Sequence, residues 1–187
     1  MGVESGSQAI LDLMDKGITL DTVMLARNRL RDVGIRACFF LQFGYPGETW
    51  TELRETIALV RTLRPDDIGI SFSYPLPGTV FYERVRMQLG PKRNWTDSDD
   101  LCIMFKAAYS TDFYRAVREA LHAEVDSWQQ SNEQKQHGTR VSALWRTVYQ
   151  LEPMSRVPGA FTFPESLDII ASSSIIPVAQ LTSLRKA

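Results

Sequence analysis

Three short loops limit what this chain can fold into. Glu4-Ser-Gly-Ser7, Gly44-Tyr-Pro-Gly-Glu48 and Pro75-Leu-Pro-Gly-Thr79 each follow a short apolar segment, and the stretches between them carry helical periodicity. From Glu4 to Gly44 and from Gly44 to Ser73 the chain has room for the roughly 30 residues that one strand-helix-strand unit requires. Such alternation gives parallel strands joined by right-handed crossovers, and brings all three loops to the same end of the sheet. In barrels of this kind the end reached by the strand C-termini is where ligands bind.

The elements between the loops read as follows. Met1 to Glu4 is the end of a strand. Gln8 to Asp15 carries Ile10, Leu11 and Met14 at helical spacing, with Gly17 as a stop. Thr19 then caps a second helix, whose stripe of Leu20, Val23, Met24, Leu30 and Val33 ends at Gly34. Ile35 to Phe43 is apolar without strict alternation, which predicts a strand covered on both faces. Thr49 and Glu52 form a capping box for a helix through Trp50, Leu53, Ile57 and Val60. After Arg64-Pro-Asp66, the segment Ile68 to Tyr74 alternates as a strand.

Beyond Tyr82 the alternation fades. Gln88 to Asn94 is turn-rich, and Leu101 to Phe105 is compatible with strand or helix. Helical stripes return over 112–128 and from Val141 to Leu151, separated by the polar stretch Gln129 to His137 and Gly138. From Pro153 onward no period is visible, and the segment reads as a loosely packed tail. The organisation expected is 1–90 for the strand-and-helix part, 91–152 for a mainly helical extension and 153–187 for the tail.

Charge and cysteine content remove several function classes. With 21 Lys and Arg against 22 Asp and Glu, no broad field draws the chain to nucleic acid or an anionic membrane. The apolar runs are too short to span a bilayer and no leader pattern opens the chain, so the expected compartment is the cytoplasm. Cys38 and Cys102 are the only cysteines; both lie in apolar contexts and read as buried small hydrophobes. His122 falls in a helical pattern and His137 in a polar stretch, and neither suggests a hydrolytic triad.

Gly2-Val-Glu-Ser-Gly-Ser7, Gly44-Tyr-Pro-Gly-Glu-Thr49 and Pro75-Leu-Pro-Gly-Thr79, in this order, resemble the later half of the radical S-adenosylmethionine domain over roughly residues 2–90. The likeness is nearest to members that carry an upstream cobalamin-binding domain. It implies an α/β fold: strands four to six of a partial (β/α) barrel, followed by a mostly helical extension. It also implies S-adenosylmethionine as cofactor, with Glu4 and Ser5 toward the ribose and methionine, Gly44, Tyr45, Pro46 and Gly47 on the adenine side, and Ser73 lining the site. Glu48, Pro77 and Gly78 are expected to brace the loops. Glu4 as a cap on the following helix, and Gly44 to Gly47 as a plain tight turn, are alternatives the residues leave open.

Family chemistry needs a 4Fe-4S cluster on three cysteines, with cobalamin as a further cofactor in some members. Two isolated cysteines cannot supply that ligand set. The expectation is a C-terminal fragment, inactive by itself, that needs a cluster-bearing N-terminal half and acts on an unidentified small molecule. The rival readings are a non-catalytic binding or assembly module and an unrelated barrel fragment.

Overall fold

The computed structural model describes residues 1–89, 101–128 and 134–160. In chain order these form β1 (Gly2–Glu4), α1 (Gln8–Leu13), α2 (Leu20–Asp32), β2 (Cys38–Phe43), α3 (Trp50–Leu63), β3 (Asp67–Phe72), α4 (Val80–Val85), α5 (Thr111–Ser127) and α6 (Gln134–Leu151). Short 3-10 turns follow at Arg86–Gln88 and Glu152–Met154. The fold is α/β. Its sheet is parallel, in the order β1-β2-β3, and among the described residues it does not close into a barrel.

Side-chain alternation along the strands explains the layering. Val3, Phe39, Leu41, Phe43, Ile68, Ile70 and Phe72 are buried in one cluster with Leu53, Ile57, Val60 and Leu63 of α3 and Phe113, Val117 and Leu121 of α5. Burial of each such side chain is worth about 1.5–3 kcal/mol. The other face is open: Phe40 is 58 % exposed and Ser71 is exposed, while Cys38, Gln42 and Gly69 are half-buried. Among the described residues β2 is therefore covered on one face only, since no described helix or strand lies over Phe40. Cys38 shares that open face, and neither cysteine is buried as the sequence suggested. The Phe40 ring packs against its register partner Gly69, where a Cβ would stand 3.0 Å from it.

Helix ends follow local chemistry. Thr19 caps α2, and Thr49 with Glu52 forms the complete capping box of α3. At the other end of α3, Arg64 adopts φ 44, and buried Arg27 donates through Nε to the Leu63 carbonyl (3.3 Å) and through Nη2 to that of Arg64 (2.7 Å). Arg31 also donates to the Leu63 carbonyl. Arg27 Nη2 lies 3.2 Å from Asp66 Oδ2, which accepts the Ala37 amide, so one cluster ties α2 and α3 to the start of β2.

The structure departs from the sequence reading in the second half. Leu101 to Phe105 is neither strand nor helix: the Ile103 amide bonds Thr111 Oγ1 (3.2 Å), and Phe105 meets Phe81 edge to face at 5.3 Å. α6 begins at Gln134, so it runs through Gly138. A glycine costs a helix only about 1 kcal/mol, less than burying Trp145 and Val148 against α5 returns. Residues 155–157 return to the strand-helix body, with Ser110 bonding the Ser155 carbonyl (2.9 Å) and Val157 that of Ala108 (2.9 Å). The rest of the expected tail, 161–187, the turn-rich 90–94 and the polar stretch 129–133 lie outside the described residues.

Candidate functional site

The two Pro-Gly loops are the same turn used twice. Glu48 donates its amide to the Tyr45 carbonyl (2.9 Å) across Pro46 and Gly47, and Thr79 donates to that of Leu76 (3.1 Å) across Pro77 and Gly78. Gly47 and Gly78 have φ of +91 and +87, as a type II turn with proline before glycine requires. Each turn delivers the chain to a threonine cap, Thr49 for α3 and Thr79 for α4, the latter accepting from the Tyr82 amide at 3.1 Å.

The Glu4 loop is built differently. Glu4 has φ 63, and its carboxylate meets Lys16 Nζ at 2.8 Å. No side chain caps α1, so Glu4 is not a helix cap. Ser5 is buried, its hydroxyl accepting from the Ser7 amide (3.1 Å) and lying 3.3 Å from Thr56 Oγ1. Gly6 presses on α3: its amide bonds Thr56 Oγ1 at 2.8 Å, and a Cβ would stand 2.5 Å from Thr56 Cα.

Under the second loop lies an unusual polar cluster. Glu48 is fully buried, and its Oε2 accepts the Gly44 amide at 2.5 Å. Burial pushes its carboxyl up to about 8; the Gly44 bond opposes this and nearby Glu52 adds to it. Glu48 Oε1, the Tyr114 hydroxyl and Ser73 Oγ are all buried without a hydrogen-bond partner. Burial, with Glu48 adding to it, drives the Tyr114 phenol well above its ordinary value. Gly44, at φ +80, leaves room for Ile103, whose Cδ1 would stand 2.6 Å from its Cβ, while the Tyr114 ring lies at ordinary contact distance, 3.4 Å.

A cleft of about 920 Å³ opens at this rim, between α1 and the loops that follow β2 and β3. Its walls include Asp12, Leu13, Tyr45, Thr79, Phe81 and Arg84. Tyr45 stands 5.2 Å from the Phe81 ring and donates its hydroxyl to the Leu13 carbonyl at 3.1 Å. Of the residues singled out in the sequence, Tyr45 lines the cleft. Glu4, Ser5, Gly44, Pro46, Gly47, Glu48 and Ser73 share its end of the sheet but do not line it. Thr56 and Tyr114 were missed: each sits at an ordinary helical position, and only the fold brings it to a loop.

Among the described residues no group of His, Cys, Asp and Glu could hold a metal ion. Two cysteines do not fit a 4Fe-4S cluster, which takes three or more thiolates. No helix among the described residues is long and apolar enough to cross a membrane.

No protein-family profile matches the chain. It is 33% identical over 82 residues to an uncharacterised methyltransferase of Pyrococcus horikoshii, covering 44% of this chain and 18% of that protein. It is 34% identical over 93 residues to a tRNA-2-methylthio-N(6)-dimethylallyladenosine synthase of Paracoccus denitrificans, covering 46% and 20%. The same-named synthase of Halorhodospira halophila is 39% identical over 80 residues, covering 41% and 17%. The chain thus spans about a fifth of the length of the curated relatives it matches. These matches do not support a link to cobalamin. What they support is a likeness to enzymes of the radical S-adenosylmethionine kind, over part of the chain.

Proposed function

We propose that this chain supplies the adenosine-binding side of a radical S-adenosylmethionine site, in the later half of a partial barrel. The observation that carries this is the rim cleft, where the Tyr45 and Phe81 rings meet at the C-terminal ends of parallel strands. Aromatic walls suit a purine, and Asp12, Asp15 and Thr79 offer oxygens for hydroxyl groups. Glu4, at the same end of the sheet, exchanges Lys16 for the ribose diol in this reading, since a carboxylate accepts from both hydroxyls. Ser5, Ser73 and Glu48 act by holding the loops in shape. The cofactor, bound to a 4Fe-4S cluster, supplies a 5′-deoxyadenosyl radical; cluster and electron come from another protein segment, which also covers the open face at Phe40. Whether that chemistry transfers a methyl group or installs a methylthio group, as the relatives' names suggest, depends on that segment.

Titration of the chain with 5′-deoxyadenosine, followed by NMR, tests the reading. Saturable shifts at the Tyr45 and Phe81 rings, weakened about tenfold or more by Tyr45→Ala and by Glu4→Ala, are expected. Absence of any saturable shift at these rings sinks it. Unchanged affinity in Glu4→Ala removes Glu4 from the ribose.

A further inference from the structure

The two Pro-Gly loops differ in the residue that closes the turn. Thr79, which closes the later one, is exposed, whereas Glu48, at the same place in the earlier one, is fully buried. Glu48 Oε2 accepts the Gly44 amide at 2.5 Å, and this bond closes the 44–48 loop on itself. Glu48 Oε1 is left without a hydrogen-bond partner, as are the buried Tyr114 and Ser73 hydroxyls.

A carboxylate stays charged in a closed interior only where cations or several donors meet it. Here a single amide does. The other groups around it are Glu52 of α3, whose charge opposes ionisation, and Tyr114 of α5, a phenol that burial keeps neutral and that Tyr109 faces in turn. Ser73, whose amide bonds the Phe43 carbonyl at 2.7 Å, adds only a hydroxyl. None of these is a cation, so a charged Glu48 is stabilised by reaching water.

We propose that Glu48 is the positioning residue for Tyr45, and that the 44–48 loop opens with the loss of one proton, closed over a neutral carboxyl and displaced when that carboxyl ionises into water. The opening is local, because the loop lies at the rim and its five residues can move while α3 and the sheet stay packed. Tyr45 rides on this loop, with its ring against Phe81 and its hydroxyl on the Leu13 carbonyl. Opening breaks both contacts and takes one wall from the rim cleft. What that does to a bound nucleoside rests on the adenosine reading above; the coupling of loop to proton does not.

The sign follows from the two environments. In the open loop the carboxyl ionises near its ordinary 4.5, and in the closed loop burial keeps it neutral to about 8. Between these limits each pH unit multiplies the open fraction by about ten, and the closed form remains the majority.

Amide hydrogen exchange of the 187-residue chain, followed by NMR over about pH 5.5–7.5, tests this. Base catalysis alone speeds exchange about tenfold per pH unit, and an opening that releases a proton makes it about a hundredfold. The hundredfold slope is expected at the Gly44 amide, which loses its bond to Glu48 on opening, and at the Glu48 amide. The Thr79 amide, in the same turn without a buried carboxyl, keeps the tenfold slope, as does Gly44 in Glu48→Gln. The loop amides also exchange well ahead of those of Val117 and Leu121, which are buried in α5. A tenfold slope at Gly44, or exchange at Gly44 only in step with Val117 and Leu121, overturns the proposal. Should Glu48→Gln not fold, Thr79 and the α5 amides of the native chain decide the matter. 5′-Deoxyadenosine forms a second arm, slowing Gly44 exchange in proportion to its occupancy of the closed cleft. A steep slope that the ligand does not slow supports the proton coupling and sinks the adenosine reading.

Discussion

At the scale of single residues, Glu48 is a fully buried carboxyl held far from its ordinary titration range. The unfolded chain ionises it near the ordinary value of 4.5, while the folded chain keeps it neutral until about pH 8. Its folded value is raised, so the stability it contributes is intact below about pH 4.5, is lost as pH rises toward 8, and levels off above. At 1.36 kcal/mol per unit the full loss is on the order of 5 kcal/mol. Glu48→Gln is therefore expected to gain on the native chain progressively across that window, measured by urea unfolding at stepped pH. A constant difference between the two chains from pH 5 to pH 9 would refute a neutral Glu48. Tyr114 invites the opposite experiment. Its hydroxyl is buried and unpartnered, so Tyr114→Phe removes a polar group that has nothing to bond. Its melting temperature is expected to equal or exceed that of the native chain; a loss of more than about 1 kcal/mol would show that the hydroxyl is bonded in solution.

Among the elements, the joint between the first loop and α3 is the tightest backbone contact. Gly6 adopts no special dihedral angle; it is there because a Cβ would stand 2.5 Å from Thr56 Cα and 2.6 Å from the Glu55 carbonyl oxygen. Backbone on both sides cannot step aside as a side chain would. Gly6→Ala is expected to cost about 3 kcal/mol, the upper end of ordinary overpacking, and to disturb the Ser5–Thr56 contact with it. Thermal unfolding of Gly6→Ala beside Gly78→Ala separates the causes. Gly78 has nothing within 4 Å of its would-be Cβ, so its cost is the strain of φ +87 alone. Equal losses in the two variants would contradict the close approach. The helical pair α5–α6 is tied to α3 through Glu124, which accepts from Arg61 Nε (2.8 Å) and from Trp145 Nε1 (2.6 Å), with the Arg61 guanidinium stacked over the indole.

For the whole molecule, the one-sided sheet is the main consequence. All-parallel sheets are ordinarily covered on both faces, and here, among the described residues, no layer lies above Phe40, Cys38, Gln42 and Ser71. An aromatic ring exposed on an open sheet face promotes association. Phe40→Gln is expected to lower binding of an apolar-surface dye and self-association, with stability changed by about 1 kcal/mol or less, because the side chain is already more than half exposed. Light scattering and dye fluorescence check this; an unchanged signal in both would show that the face is already covered in solution.

The sequence by itself determined the local order. Proline followed by glycine dictates the two type II turns, Thr49 with Glu52 dictates where α3 begins, and the period of Tyr114, Val117, Leu121 and Val125 dictates α5, because each of these signals acts within a few residues of chain. The three loops and their place at one end of a parallel sheet were legible for the same reason. Tertiary structure alone decided the rest. That β2 is bare on one side among the described residues depends on which elements lie above it, and an unbroken apolar run looks alike in either case. Residues distant in sequence meet under the loops, Glu48 with Tyr114 and Ser5 with Thr56. Burial and polar satisfaction are properties of such meetings, and no spacing within one element encodes them.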